Sequence, residues 1–185
     1  ALERFCEAPS PACLMVPACR LQADILLRLR KDLNRAYGSA VLAWRLAPRG
    51  SRESLKSGLL VAELAMLHDE PTVAAAVTTE LAASFPEQAQ VQNQRAYALA
   101  CLGLVEDAMV ALRMGAASAN NVFHVAAKAR LLTWDGKYEA ALEMWDRVLK
   151  KSPDQFAALT EKSTLLSTCP ENSIRDGKLA YELAV

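Results

Sequence analysis

Histidine is the first side chain to consider for catalysis or metal binding, and the chain contains two, His68 and His124. Neither belongs to an HExxH segment or to another spacing that places two metal ligands on one helix face. His68 precedes Asp69 at an expected turn between helices, where a solvated histidine is far more common than a ligand. His124 falls in an expected helix, where surface exposure or partial packing is the usual state. We therefore expect neither a catalytic histidine nor a metal site.

Adjacent carboxylates could support acid–base catalysis, and two such pairs occur, at 69–70 and 106–107. Both stand at the expected beginnings of helices, where negative charge interacts favourably with the helix dipole. The seven glycines are scattered singly, so the chain lacks a glycine-rich loop that could hold phosphate groups. These patterns predict a protein that is not an enzyme and that uses no cofactor.

Five cysteines leave at least one thiol unpaired within a monomer. Three of them, Cys6, Cys13 and Cys19, lie close together in a segment that also contains three prolines. A disulfide among these three would indicate an oxidising compartment. Alternatively, they are small apolar side chains buried in the fold. The absence of a CxxC pair argues against zinc, and the cellular location stays undetermined.

Composition narrows the class of protein further. Apolar residues make up 52% of the 185 residues, and 21 basic residues balance 21 acidic ones. Alanine and leucine, at 34 and 28 residues, favour helix over strand. A net charge of zero argues against a nucleic-acid binder, which normally carries a basic excess. The uncharged stretch 96–105 is about half as long as the roughly 20 residues of a membrane-spanning helix, so we expect no integral membrane protein.

Internal repetition is the strongest signal in the sequence. The clearest unit covers 122–155 and combines Ala129, Gly136, Ala141 and Trp145 with a closing Pro153. Steps of 33 or 34 residues towards the N-terminus reach similar units near 89–121, 55–88 and 21–54. Small residues recur where paired helices would have to approach closely; they are Ala40, Ala62, Ala74, Ala96, Ala108, Ala129 and Ala141.

This pattern resembles the tetratricopeptide repeat (TPR), a 34-residue helix–turn–helix unit. The resemblance implies an all-α, right-handed superhelical solenoid of stacked TPR-like helical hairpins. In the first unit, Tyr37 and Trp44 align with Tyr138 and Trp145, although Arg28 stands where a small residue is expected. An irregular fifth unit covers 156–185. Residues 1–20 do not fit the repeat, and we expect them to form a segment, interrupted by Pro17, that packs on the first unit.

In this family the first helices of the repeats line a concave groove. Carried over by repeat position, the resemblance implies a groove that binds a partner peptide or helix through Lys56, Glu63, Asn93, Tyr97, Arg130 and Trp134. The apolar neighbours of these residues could instead pack between helices. The Lys and Asn pattern by which some relatives hold a terminal carboxylate is not reproduced in this sequence.

Two functions follow as expectations. The first is a non-enzymatic protein-interaction module or scaffold whose partner is a protein or peptide. The alternative is a structural subunit that assembles through its solenoid ends into an oligomer, because the last segment 179–185 is apolar. A helical-repeat reader of RNA is disfavoured because a basic groove is missing.

Overall fold

The computed structural model describes residues 11–29 and 32–184, with side chains from Met15 onward. The secondary structure of these residues is entirely helical. Ten α-helices follow one another, and a short 3₁₀ turn at Ala116–Ser118 precedes the seventh. They are α1 (Pro11–Leu29), α2 (Leu33–Leu46), α3 (Arg52–Leu67), α4 (Pro71–Ser84), α5 (Ala89–Cys101), α6 (Val105–Met114), α7 (Val122–Trp134), α8 (Tyr138–Lys151), α9 (Phe156–Thr168) and α10 (Gly177–Ala184).

The helices stack as successive antiparallel pairs. Each helix packs against its neighbours in the chain, and α5 also contacts α3 and α7. The alanines predicted to allow close approach, such as Ala62, Ala74 and Ala141, are buried between the helices. The predicted all-α solenoid of helical hairpins is therefore confirmed.

Three of the turns within helix pairs have the same construction. The middle residue of each three-residue turn, Asp69, Gly103 or Gly136, has a positive φ of 56°, 74° or 72°. The amide of the following residue donates to a carbonyl five positions earlier, as from Lys137 to Leu132 at 2.9 Å. This is the hydrogen bond of a Schellman motif, which ends a helix and reverses the chain.

Prolines mark the helix boundaries as the sequence predicted. The second helices α4 and α8 end at Ser84 and Lys151, each two residues before Pro86 or Pro153. A proline also disfavours helical geometry in the residue before it. Pro71, by contrast, begins α4, where its missing amide hydrogen would have had no helical partner.

The structure corrects the expected boundary between residues 20 and 21. Helix α1 passes through that boundary from Pro11 to Leu29 and contains Pro17 in its interior. Pro17 is exposed, whereas Val16 and Ala23 are buried on the packing side of this helix. Residues 11–20 are thus part of the first helical hairpin rather than a segment packed on it. Residues 1–10 lie outside the described residues.

The register of the first unit also differs from the prediction. Tyr37 is the fifth residue of α2, whereas Tyr138 is the first residue of α8, an offset of about one helical turn. Ala23, and not the exposed Arg28, supplies the small buried residue of α1. Two similar sequence patterns therefore occupy different positions in their repeats.

The last pair is irregular. An eight-residue connection leads from α9 to α10, and it buries Cys169 and Ile174. The Asp176 carboxylate accepts a hydrogen bond from the Leu179 amide at 2.9 Å at the beginning of α10. Ser163 of α9 donates to the Ala180 carbonyl at 2.8 Å, which ties the two helices together.

Of the cysteines with described side chains, Cys19, Cys101 and Cys169 are free thiols. Cys169 is buried and the other two are partly buried, as expected for small apolar side chains. The Cys6 residue and the Cys13 side chain lie outside the described part of the structure.

Candidate functional site: the inner groove

The odd-numbered helices line a cavity of about 770 Å³ on the inner side of the stack. Its wall combines the last turns of α1 and α3, the middle of α5, and the first turns of α7 and α9. Helix α3 also contacts α9, although α5 and α7 lie between them in the chain. The stack therefore curves enough to enclose a groove, which we call the inner groove.

The wall of the inner groove is largely apolar. Met66 of α3, Phe123 of α7 and Phe156 of α9 contribute large side chains to it. Phe156 is the most open of them, with 65% of its surface exposed. An exposed aromatic side chain in a concave site is a common anchor for a partner.

Glu63 brings a carboxylate into this apolar wall. Its side chain is half-buried on α3, and it has no hydrogen bond or ion pair among the described residues. Burial raises the pKa of Glu63 above its ordinary value, and the nearby Asp24 carboxylate raises it further. The charged form is therefore disfavoured in the free protein.

Tyr97 forms part of the floor of the inner groove. Its side chain is almost fully buried, and its ring centroid lies 6.2 Å from that of Phe123. Burial strongly raises the pKa of Tyr97, and the neighbouring Cys101 thiol raises it further. Tyr97 therefore contributes to the groove chiefly through its ring.

Asn93 does not serve as a groove contact, which corrects the prediction made for it. The side chain is fully buried. Its amide nitrogen donates to the Ser118 carbonyl at 3.2 Å, and its oxygen lies 2.9 Å from His124 Nδ1. Because the side chain is buried and each of its polar atoms has a partner inside the protein, Asn93 is not available to a peptide in the groove.

The other three predicted groove residues lie away from the cavity wall. Arg130 is hydrogen-bonded to Glu161 and joins α7 to α9. The Lys56 Nζ atom lies 3.9 Å from a Glu53 oxygen on the same helix. Trp134 is 61% exposed at the end of α7, next to Gly103. Of the six predicted residues, Glu63 and Tyr97 thus lie in the wall of the cavity.

Sequence reasoning missed the part played by Phe156 and by the end of α1. Leu27 and Arg28 line the groove because they lie in the last turn of α1. This helix ends at Leu29, about one helical turn before the end that the alignment of Tyr37 with Tyr138 implies. The sequence pattern indicates only that Phe156 begins a helix. The available signal was its place in the repeat, since Phe123 also stands in the first turn of its helix.

The described residues contain no group of three or more His, Cys, Asp or Glu side chains that could hold a metal ion. None of the described helices is both long and apolar enough to cross a membrane. Chemically, the inner groove combines apolar surface with an unpaired carboxylate, and such a surface can hold a side chain by contact and charge.

Comparison with solved structures identifies the architecture. A structure titled "MamA RS-1 ArsTM double mutant" matches with a TM-score of 0.55 and 14% sequence identity, over 95% of this chain and 92% of that chain. That protein has a TPR-like solenoid. The present chain has a TPR-like helical-repeat fold. A scan of protein families and a search of curated proteins find no match, so membership of the TPR family stays a prediction.

Proposed function

We propose that this protein is a non-enzymatic interaction module that binds a segment of a partner protein, peptide or helix, in the inner groove. The observation that carries the proposal is the cavity of about 770 Å³ that five first helices line together. Its size falls within the range of ligand-binding clefts in proteins. A groove of parallel helices suits an extended or helical segment whose apolar side chains enter the gaps between helices.

The side chains of the groove support binding rather than catalysis. Among the described residues, the cavity wall contains Glu63 as an unpaired carboxylate, but no histidine or cysteine that could act beside it. His124 is engaged with Asn93, outside the wall. The open ring of Phe156 instead fits the role of an aromatic anchor.

A matched pair of exposed residues tests this proposal. Phe156 lies in the inner groove, whereas Met109 lies on α6 in the outer layer and is 47% exposed. Wild type, Phe156→Ser and Met109→Ser would be used to capture proteins from the native extract. Any partner would then be titrated by calorimetry.

We expect Phe156→Ser to lose the partner and Met109→Ser to retain it. Truncation of a central aromatic anchor commonly costs about 2 kcal/mol or more, which corresponds to at least roughly thirtyfold in affinity. Equal binding by all three proteins would show that the partner binds outside the groove, which would refute the proposal.

A second candidate function is a structural subunit that assembles through its ends. Met15, Leu21, Ile25 and Leu29 are all exposed on α1 at one end of the stack. Tyr181 of α10 is 71% exposed at the other end. The apolar end of a solenoid usually packs against a capping repeat or a partner.

Sedimentation at increasing concentration tests this second candidate. If the ends associate, the wild-type mass rises with concentration, and Leu21→Glu restores the monomer because a charge cannot be buried without a partner. A monomeric wild type at every concentration would exclude self-assembly.

A further inference from the structure

Among the described residues, several charged side chains on the helices that form the inner groove are paired, with two exceptions at its wall. Arg20 contacts Asp24 at 2.9 Å and Glu53 at 3.1 Å. Arg130 is paired with Glu161. Asp154, at the groove wall, also has an interaction of its own.

The two exceptions, Glu63 and Arg28, differ in their environment. Both line the cavity, but no salt bridge joins them. Arg28 is exposed, so water solvates its guanidinium and little is gained from pairing it. Glu63 is half-buried among apolar side chains, where water solvates a carboxylate poorly. Glu63 is therefore the group that gains most from a cation brought by a ligand.

We propose that the inner groove selects partner segments in which a lysine or arginine is flanked by apolar residues, with the cationic group paired to the Glu63 carboxylate. This inference rests on the proposed function and specifies the chemistry of the partner. The long stem of a lysine or arginine would lie along Met66 and Phe156, because such stems pack on apolar surface while the charged end reaches a polar group. Flanking apolar side chains would cover Phe123.

Charge complementarity supports this occupant over an acidic one. The carboxylates of Glu63 and Asp24 are close enough to raise the pKa of Glu63. An acidic segment would bring another negative charge next to the unpaired Glu63 carboxylate, which is unfavourable. A purely apolar segment would bury the Glu63 carboxylate without a partner, and this costs more than leaving it half solvated.

The test compares peptide libraries that differ by one functional group. All peptides are short, acetylated at the N-terminus and amidated at the C-terminus, and their flanking positions vary among apolar residues. The central position is lysine in one library, norleucine in the second and glutamate in the third. Norleucine keeps most of the apolar stem of lysine without the ammonium group. Binding to the intact protein is measured at about pH 8, well above the ordinary pKa of a glutamate.

Wild type is expected to retain the lysine library about tenfold or more above the norleucine library, as for a charge-assisted hydrogen bond. Glu63→Gln should remove this preference, while Glu106→Gln, which neutralises an exposed carboxylate on the outer helix α6, should leave it unchanged. The thermal transition of each variant verifies that it is folded.

The remaining outcomes separate the two proposals. Equal retention of the lysine and norleucine libraries would refute the charge selection but leave groove binding intact. A lysine preference that persists in Glu63→Gln would refute the role of Glu63. Failure of all three libraries to bind would count against the proposed groove function itself, and the inference would fail with it.

Discussion

The Oδ1 atom of Asn93 and the Nδ1 atom of His124 lie 2.9 Å apart and form a hydrogen bond between α5 and α7. Because an amide oxygen can only accept, His124 carries its proton on Nδ1 in this arrangement. The Asn93 amide nitrogen simultaneously donates to Ser118 in the connection that leads into α7. Asn93 thus braces two repeats and their connection instead of facing a ligand.

A double-mutant cycle between Asn93 and Gly115 tests this brace. A Cβ atom on Gly115 would lie 1.9 Å from Asn93 Oδ1, so Gly115→Ala must displace the amide. Asn93→Ala leaves the groups that it bonded unsatisfied and should cost about 1–3 kcal/mol of stability. Gly115→Ala alone should cost about the same. Together they should cost about 1 kcal/mol or more less than the sum, because Asn93→Ala makes the room that the added methyl group needs.

Urea unfolding of the wild type, both single variants and the double variant measures this coupling. Strict additivity would show that Gly115 and Asn93 do not share the contact. A full loss of partner binding in Asn93→Ala, with stability unchanged, would instead support the groove contact that the sequence predicted for Asn93.

The protonation of His124 should make stability depend on pH. Burial lowers the pKa of His124, and the nearby Lys128 lowers it further. The unfolded chain, with a histidine pKa of about 6.5, therefore takes up its proton first as the pH falls. The free energy of unfolding should decrease as the pH falls below about 6.5, until the folded protein is protonated as well.

Unfolding free energies of wild type and His124→Gln, measured from about pH 7.5 to about pH 5, test this dependence. The glutamine variant should show a shallower decline because it has no imidazole to protonate. Parallel profiles for the two proteins would contradict the assigned role of His124.

The repeat architecture could be predicted because its steric requirements restrict the residue types at particular positions of the sequence. Close helix packing requires small residues, and Ala96 and Ala129 fulfil it at the expected positions. Helix ends require prolines or residues with a positive φ, and Pro153 and Gly136 appear there. The predicted register of the first unit is wrong because the Tyr37 pattern resembles the Tyr138 pattern but lies one turn further along its helix.

The groove could be predicted only in part. Its existence follows from the repeat, but the side chains that reach it depend on how neighbouring helices pack. Asn93 stands at an inward repeat position, yet its side chain is hydrogen-bonded to Ser118 of the connection at 115–121 and to His124 of α7. Phe156 lies in the groove wall because the stack curves and brings α9 towards α3, which no local pattern encodes.

Two glycines without steric neighbours should respond oppositely to alanine. A Cβ atom at Gly38 or Gly136 meets nothing within 4 Å. Gly38 is an exposed residue inside α2, so Gly38→Ala should stabilise by about 0.5–1 kcal/mol. Gly136 has a φ of 72°, so Gly136→Ala should destabilise by about 1 kcal/mol through backbone strain.

Thermal and urea unfolding of both glycine variants measure these effects, and each variant is the other's control for the added methyl group. A loss of stability in Gly38→Ala would mean that α2 is not helical at this residue. An unchanged stability of Gly136→Ala would mean that the turn tolerates a side chain in another geometry.

Glu63→Gln should stabilise the free protein at neutral pH. Burial and Asp24 raise the pKa of Glu63, so keeping the carboxylate charged lowers the stability of the folded state. Glutamine has nearly the same size without the charge. As the pH falls, the wild-type carboxylate takes up a proton in the folded protein first, so the advantage of glutamine should shrink. It should disappear below about pH 4, where the unfolded chain is protonated too.

Glu53→Gln is the matched control on the same helix. Glu53 lies in the first turn of α3 and pairs with Arg20 at 3.1 Å, so its neutralisation should lower stability slightly at neutral pH. The two variants should therefore shift the urea midpoint in opposite directions. If Glu63→Gln were instead less stable than wild type at neutral pH, the Glu63 carboxylate would have a partner in the free protein. A carboxylate kept at a cost to stability, by contrast, fits a residue retained for the ligand it meets.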